Sequence, residues 1–235
     1  MSAAIAERLA EVRERIAAAA QRAGRAVEEI ELVGVAKRFP ADDVVAAVRA
    51  GLSSVGENYV QEAQTKLVEV RAALETEGLA APCFHFVGQL QRNKAGHAAR
   101  LFDVVQTVDR ASLGDALDKR AGSAGRRLRV LLQVDVSSEA QKGGVDPATL
   151  PALLEAATRW QSLELAGLMA IPAASPDPRA AFARLRSLRD ALREAPGAEA
   201  LRELSIGMSG DYEQAIEEGA TIVRVGTAIF GPRPR

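Results

Sequence analysis

Apolar positions along this chain fall into two alternating rhythms. Ile5, Leu9, Val12 and Ile16 recur at helical spacing ahead of Gly24, so the chain is expected to open with an amphipathic helix. Beyond it, short apolar runs bounded by turn residues alternate with helical patterns. The runs Glu31–Ala36, Ser54–Gly56, Phe84–Val87, Asp103–Thr107, Leu128–Val136, Leu165–Met169, Glu203–Ile206 and Thr221–Val225 read as strands. The clearest helix between them carries Val60, Ala63, Leu67, Val70 and Leu74 on one face, with Glu62, Lys66, Glu69 and Arg71 off it. Strands alternating with helices indicate a parallel sheet, and eight is the number that closes a (β/α)8 barrel of the TIM type. The expected architecture is a single α/β barrel domain over residues 1–235, with the first helix as an N-terminal addition. An open doubly wound sheet is the alternative, lowered because no glycine-rich dinucleotide fingerprint follows the first strand.

Composition narrows the function. The 235 residues are 48% hydrophobic, enough for a full core, and the 26% charged fraction argues against disorder. A net charge of −1 and sparse aromatics offer neither a basic groove nor a stacking surface for nucleic acid. A single cysteine, Cys83, excludes an intrachain disulfide and a Cys-rich zinc site. With only His85 and His97 as histidines, no metal site is expected. No apolar run approaches membrane-spanning length, and Glu7, Arg8, Glu11 and Arg13 interrupt anything resembling a signal peptide. A soluble cytoplasmic protein is expected. Lysine is scarce, confined to Lys37, Lys66, Lys94, Lys119 and Lys142, so each one bears asking about.

The stretch Leu204–Gly231 carries the most chemistry. Gly207, Met208, Ser209 and Gly210 run into an expected helix Asp211–Glu218, whose first turn offers unpaired N–H groups and partial positive charge. The next strand ends at Gly226-Thr227, where backbone can approach a ligand and a hydroxyl can donate. Together the two turns read as a phosphate cradle. Lys37 stands directly after the first strand, which in a barrel is the ligand-binding rim. Burial there would lower its pKa, and a neutral amine can form a Schiff base with an aldehyde. Taken alone, a rim lysine with its ammonium in water is the plainer account. A lysine and a phosphate cradle on one rim are, however, the two anchors that pyridoxal 5′-phosphate (PLP) requires. Arg224, two residues before Gly226, could face the pyridine ring and keep its nitrogen unprotonated, or could simply pair with a rim carboxylate. Asn58, in Gly56-Glu57-Asn58, is either a pocket residue or a turn and cap residue, and Glu57 could orient a neighbour. His85 is read as a strand residue packed in the barrel. Gln91, Asn93 and Lys94 are rim polar groups or caps.

These segments together resemble the pyridoxal-phosphate homeostasis protein family, a relative of the alanine racemase N-terminal barrel. The resemblance rests on VAK at Val35–Lys37, GENYVQE at Gly56–Glu62, HFVGQLQRNK at His85–Lys94 and Gln133–Gly144. GLMAIP at Gly167–Pro172 and the block Leu204–Gly231 complete it. It implies that Lys37 carries PLP as an aldimine and that Ser205, Ser209, Gly226 and Thr227 hold the phosphate. It also implies that Arg224 faces the ring nitrogen and that Asn58 lines the pocket. The resemblance implies a monomeric or weakly associated barrel that binds PLP, influences its supply and amino-acid metabolism, and has no established turnover, with PLP-dependent apo-enzymes as candidate partners. Ala36 stands where a serine is common, Asp135 where an asparagine is common, and Ile206 replaces a methionine. The first two are expected to alter hydrogen bonding around the cofactor. Lys142 matches a family lysine as a lid residue or a secondary PLP contact.

The expected function is therefore PLP binding without catalysis. Racemase relatives use a second base, a tyrosine from an additional β domain, and no such domain is expected here. The alternatives are a small PLP-dependent racemase-like enzyme and a phosphosugar aldolase or isomerase using Lys37 as its own nucleophile.

Overall fold

A computed structural model of the chain describes residues 2–136, 143–173, 175, 177–194 and 201–232. Its eight parallel strands close into a barrel in chain order. They are β1 (Glu31–Val35), β2 (Ser54–Glu57), β3 (Cys83–Phe86), β4 (Val104–Val108), β5 (Leu128–Gln133), β6 (Leu163–Met169), β7 (Glu203–Ser205) and β8 (Ile222–Val225). Pairing of β8 with β1, Val33 against Arg224, removes the open edges that a doubly wound sheet would have. The expected (β/α)8 architecture is borne out, strand by strand. The differences lie at the ends. Leu163 and Glu164 extend β6 toward the chain's N-terminus, and β5 stops at Gln133, after which Val134 makes only a single bridge with Val145.

Around the barrel lie α1 (Ser2–Arg22), α2 (Ala41–Arg49), α3 (Val60–Thr76), α4 (Ala95–Leu101), α5 (Ala111–Ser123), α6 (Leu150–Ala157), α7 (Arg179–Arg193), α8 (Tyr212–Glu217) and α9 (Thr227–Phe230). The extra helix α1 buries Ile5, Leu9, Val12 and Ile16, the residues its spacing singled out, and packs against α2, α8 and α9. Arg15 and Arg22 on its outer side pair with Glu213 and Glu217 of α8, which fixes the helix along the barrel wall. Among the described residues no helix is long and apolar enough to cross a membrane. No group of His, Cys, Asp or Glu among them could hold a metal ion.

The period-2 alternation of each strand separates two cores. Outward-facing Val55, Phe84, Phe86, Val105, Val130, Leu132, Leu168, Leu204 and Val223 meet the helices. Each buried side chain of this size contributes roughly 1.5–3 kcal/mol through the hydrophobic effect. Inside the barrel, Val33, Val104, Leu131, Met169 and Ile222 form a smaller apolar cluster. A polar chain runs beside it. Arg224 donates to Ser205 Oγ at 2.6 Å, and Ser205 Oγ donates to Gln106 Oε1 at 2.7 Å. Gln106 Nε2 lies 2.9 Å from His85 Nδ1, and His85 Nε2 lies 3.0 Å from Glu31 Oε1. Glu31 accepts a further hydrogen bond from Ser54 Oγ at 2.7 Å. Burial raises the Glu31 carboxyl, but contacts with His85 and Ser54 outweigh it and bring the pKa down to about 2. His85 is thus a packed and bonded strand residue, as expected from its position.

Candidate functional site

The C-terminal ends of the strands enclose a cavity of about 330 Å³. Lys37 and Asn58, following β1 and β2, form one side of it. Ser209, Gly210, Gly226 and Thr227 form the other, and Arg224 reaches it from the barrel interior. Phe39, Val87, Ile171 and Met208 supply apolar wall. No carboxylate among the described residues lines this cavity, and its two ionisable side chains are the basic Lys37 and Arg224. Such a site favours an anion with an apolar or aromatic body.

The two turns of the expected cradle are built and tied together. Gly207 adopts φ +90°, and a Cβ there would sit 2.6 Å from Ala215 Cβ and 2.9 Å from Tyr212 Cα. Only glycine allows the turn to lie this close to α8. Met208 N–H donates to Asp211 Oδ1 at 2.6 Å, closing the loop onto the helix start. Gly226 N–H donates to Ser209 Oγ at 3.2 Å, so one turn holds the other. The N–H groups of Ser209, Gly210 and Thr227 have no acceptor among the described residues. Unpaired N–H groups gathered from two turns are the donors a phosphate uses.

Arg224 is 4% exposed, and no carboxylate among the described residues lies within ion-pair distance of it. Besides Ser205, it donates to the carbonyl of Ala170 at 2.8 Å. These two bonds leave other N–H groups of the guanidinium without a partner among the described residues. Burial pulls its pKa down to about 10, so it is cationic at neutral pH. The carboxylate-paired alternative for Arg224 therefore does not hold.

Six of the seven expected site residues meet at this cavity: Lys37, Asn58, Ser209, Arg224, Gly226 and Thr227. Ser205 does not. It is fully buried in the barrel interior, and its hydroxyl is committed to Arg224 and Gln106, so it supports the arginine and does not reach the cavity. Its place at an inward position of β7, one strand from Arg224, is the physical reason. Asn58 is half-buried, with its Oδ1 enclosed and without a partner among the described residues. The backbone of Gly88 packs directly on it, since a Cβ there would fall 2.0 Å from the Asn58 carbonyl oxygen. The sequence departures fall elsewhere. Ala36 packs in the outer core, and neither it nor Asp135 lines the cavity. Lys142 lies outside the described residues.

Two functional candidates escaped the sequence pattern, Lys66 and Gln106, while Glu57, read as able to orient a neighbour, meets Lys66. Lys66 of α3 is 6% exposed, and its ammonium meets Glu57 Oε1 at 2.8 Å and Glu62 Oε1 at 2.6 Å. It also donates to the carbonyl of Ala36 at 2.8 Å. Glu57 is fully buried, and its desolvation outweighs attraction to Lys66, raising its pKa to about 7. Gln106, at an inward position of β4, is the second. The signal for it was present, as a polar residue at an alternate position of an otherwise apolar strand.

Comparison with known proteins gives the same fold and a consistent family. The family model described as the N-terminal domain of alanine racemase matches residues 8–234. A pyridoxal phosphate homeostasis protein of Pseudomonas aeruginosa is 45% identical over 232 residues, covering 97% of this chain and 96% of that protein. Its counterpart in Escherichia coli is 40% identical over 234 residues, covering 97% of both. Among solved structures, PipY of Synechococcus elongatus with PLP bound superposes with a TM-score of 0.83 at 37% identity, covering 97% of this chain and 100% of that one. With a matched model across nearly its whole length and relatives well above 30% identity, the chain belongs to the pyridoxal phosphate homeostasis proteins, built on the alanine racemase N-terminal barrel.

Proposed function

We propose that this chain binds PLP through a Schiff base on Lys37 and holds it reversibly, without catalytic turnover. The observation that carries the reading is Arg224, a buried cation with no carboxylate partner among the described residues, set at the cavity that Lys37 lines. Keeping a guanidinium dry without an anion is costly, and an aromatic ring nitrogen with a free lone pair offers the acceptor it lacks. Across the cavity, the unpaired N–H groups of Ser209, Gly210 and Thr227 suit the phosphate, with the Ser209 and Thr227 hydroxyls beside them. The ε-amino group of Lys37 can add to an aldehyde with loss of one water. Bound PLP would supply an imine that reverses on hydrolysis, which suits loading and release.

The relatives' name and the PLP in PipY support the same cofactor. The absence of turnover is supported by the cavity's chemistry. Besides Lys37 and Arg224, its described walls carry no ionisable side chain, whereas opposite-face proton transfer needs a second acid–base group. Tyr59 is 46% exposed and does not line the cavity, and Tyr212 is buried in α8. We read the protein as a monomeric cytoplasmic carrier serving PLP-dependent apo-enzymes. The test is the visible spectrum of the purified chain with PLP, followed by borohydride reduction and peptide mapping. The label should map to Lys37, and the visible band should vanish in Lys37→Ala. A wild-type spectrum surviving that substitution, or sustained multiple turnovers with a panel of L- and D-amino acids, would overturn the reading.

A further inference from the structure

The turn that carries Lys37 is held from both sides by charged groups that the cavity itself does not use. Arg38, the next residue, has φ +65° and is the sole non-glycine residue in the left-handed region among the described residues. A side chain there is strained, so something must hold it. The peptide on one side of Lys37 is fixed through Ala36, whose carbonyl accepts from Lys66 Nζ at 2.8 Å. On the other side, Arg38 N–H donates to Glu62 Oε1 at 2.6 Å. The same Glu62 oxygen lies 2.6 Å from Lys66 Nζ, and Glu57 Oε1 lies 2.8 Å from it. One ammonium thus couples both contacts. Glu57 closes the arrangement from β2, where it is fully buried beside Asn58.

Burying a lysine and a glutamate is poor value for stability alone, since apolar side chains of similar volume would serve as well or better. Charge retained at such a place gives position. We propose that Lys66, Glu62 and Glu57 form a clamp that fixes the strained turn at Arg38 and thereby aims the Lys37 amine into the cavity. These are positioning residues; none of them lines the cavity. The proposal rests on Lys37 being the point of PLP attachment.

The clamp separates two quantities that ordinary destabilisation would move together. Phosphate and ring contacts belong to the opposite side of the cavity, so total PLP held should change little. The fraction held covalently should fall, because an unclamped turn spends less time in the competent geometry. Relaxing a left-handed non-glycine residue corresponds to about a fivefold to thirtyfold loss. The experiment takes the full chain with Glu62→Ala and, separately, Lys66→Met, each alone and combined with Arg38→Gly. Borohydride-trapped PLP at Lys37 is measured against total PLP retained, and a urea transition reports folding. Glu62 is at the surface end of the network, so Glu62→Ala keeps the test available even if Lys66→Met fails to fold.

The expected result is a lowered trapped fraction in the single variants and recovery of at least half of it with Arg38→Gly. Glycine takes positive φ without a Cβ penalty and so needs less holding. A wild-type trapped fraction in Glu62→Ala, or a loss that Arg38→Gly leaves untouched, overturns the clamp while leaving Lys37 attachment intact. No trapped label in the wild-type chain would instead remove the attachment, and the clamp with it.

Discussion

Replacing Arg224 by methionine should separate stability from ligand binding. The guanidinium's pKa falls from 12.5 to about 10 on burial, so at neutral pH the folded state carries a penalty for keeping it charged. At 1.36 kcal/mol per unit this is roughly 3 kcal/mol. The sign is that of a depressed cation, with the penalty present at every pH below about 10 and relieved only above it. Methionine removes that penalty and adds apolar contact. Against this, two hydrogen bonds from a charged donor are lost, to Ser205 and to the Ala170 carbonyl, at roughly 1.5–3 kcal/mol each. Ser205 keeps Gln106 as a partner, so chiefly the Ala170 carbonyl is stranded. The terms nearly cancel, and the apo-protein should change by no more than about 3 kcal/mol. PLP binding loses one charge-assisted bond with nothing to offset it, which corresponds to affinity about tenfold to hundredfold weaker. Urea denaturation with and without PLP reads both quantities, since the stabilisation by ligand tracks its dissociation constant. An apo-protein crippled by more than about 4 kcal/mol, with undiminished PLP affinity in what remains folded, would refute the reasoning.

Two further outcomes concern the backbone and the buried carboxylate. Gly207→Ala meets both the φ +90° conformation and the 2.6 Å approach to Ala215 Cβ, so stability in urea should drop by roughly 2–4 kcal/mol; a smaller drop would mean that the turn can re-form without its glycine. Glu57→Gln removes a group whose folded pKa is raised from 4.5 to about 7, a group that favours the folded state most at low pH and loses that contribution as pH rises through this window. Relative to the variant, the wild type should therefore lose up to roughly 3 kcal/mol between about pH 4.5 and 7, and parallel stability profiles would show that Glu57 ionises normally in the fold.

The barrel was legible because each strand states its inside and outside in the sequence. Ile222 and Val223, neighbours on β8, fall in the inner and outer cores, as alternation requires. The two turns at the cavity were legible for a different reason, since Gly207 and Gly226 mark the close approaches around Ser209 and Thr227 directly in the chain. What stayed hidden was tertiary. Lys66 sits one place before Leu67, at the border of the apolar face of α3, where a lysine usually extends its ammonium to water. Here Ala36, Glu57 and Glu62, contributed by other segments and by the helix's own preceding turn, draw it inward. No local pattern announces that convergence. Ser205 was misplaced by the reverse effect: its motif neighbours reach the cavity, but the strand turns this one hydroxyl inward beneath them.

The row of contacts from Arg224 to Glu31 also has a sense of travel. The Ser205 hydroxyl accepts from Arg224 and gives its hydrogen to Gln106, whose Oε1 faces it. That orients the amide, which presents its NH2 to His85 Nδ1 and leaves the imidazole hydrogen on Nε2, toward the carboxylate of Glu31. Through this row, a side chain that reaches the cavity bears on the tautomer of a histidine that does not line it.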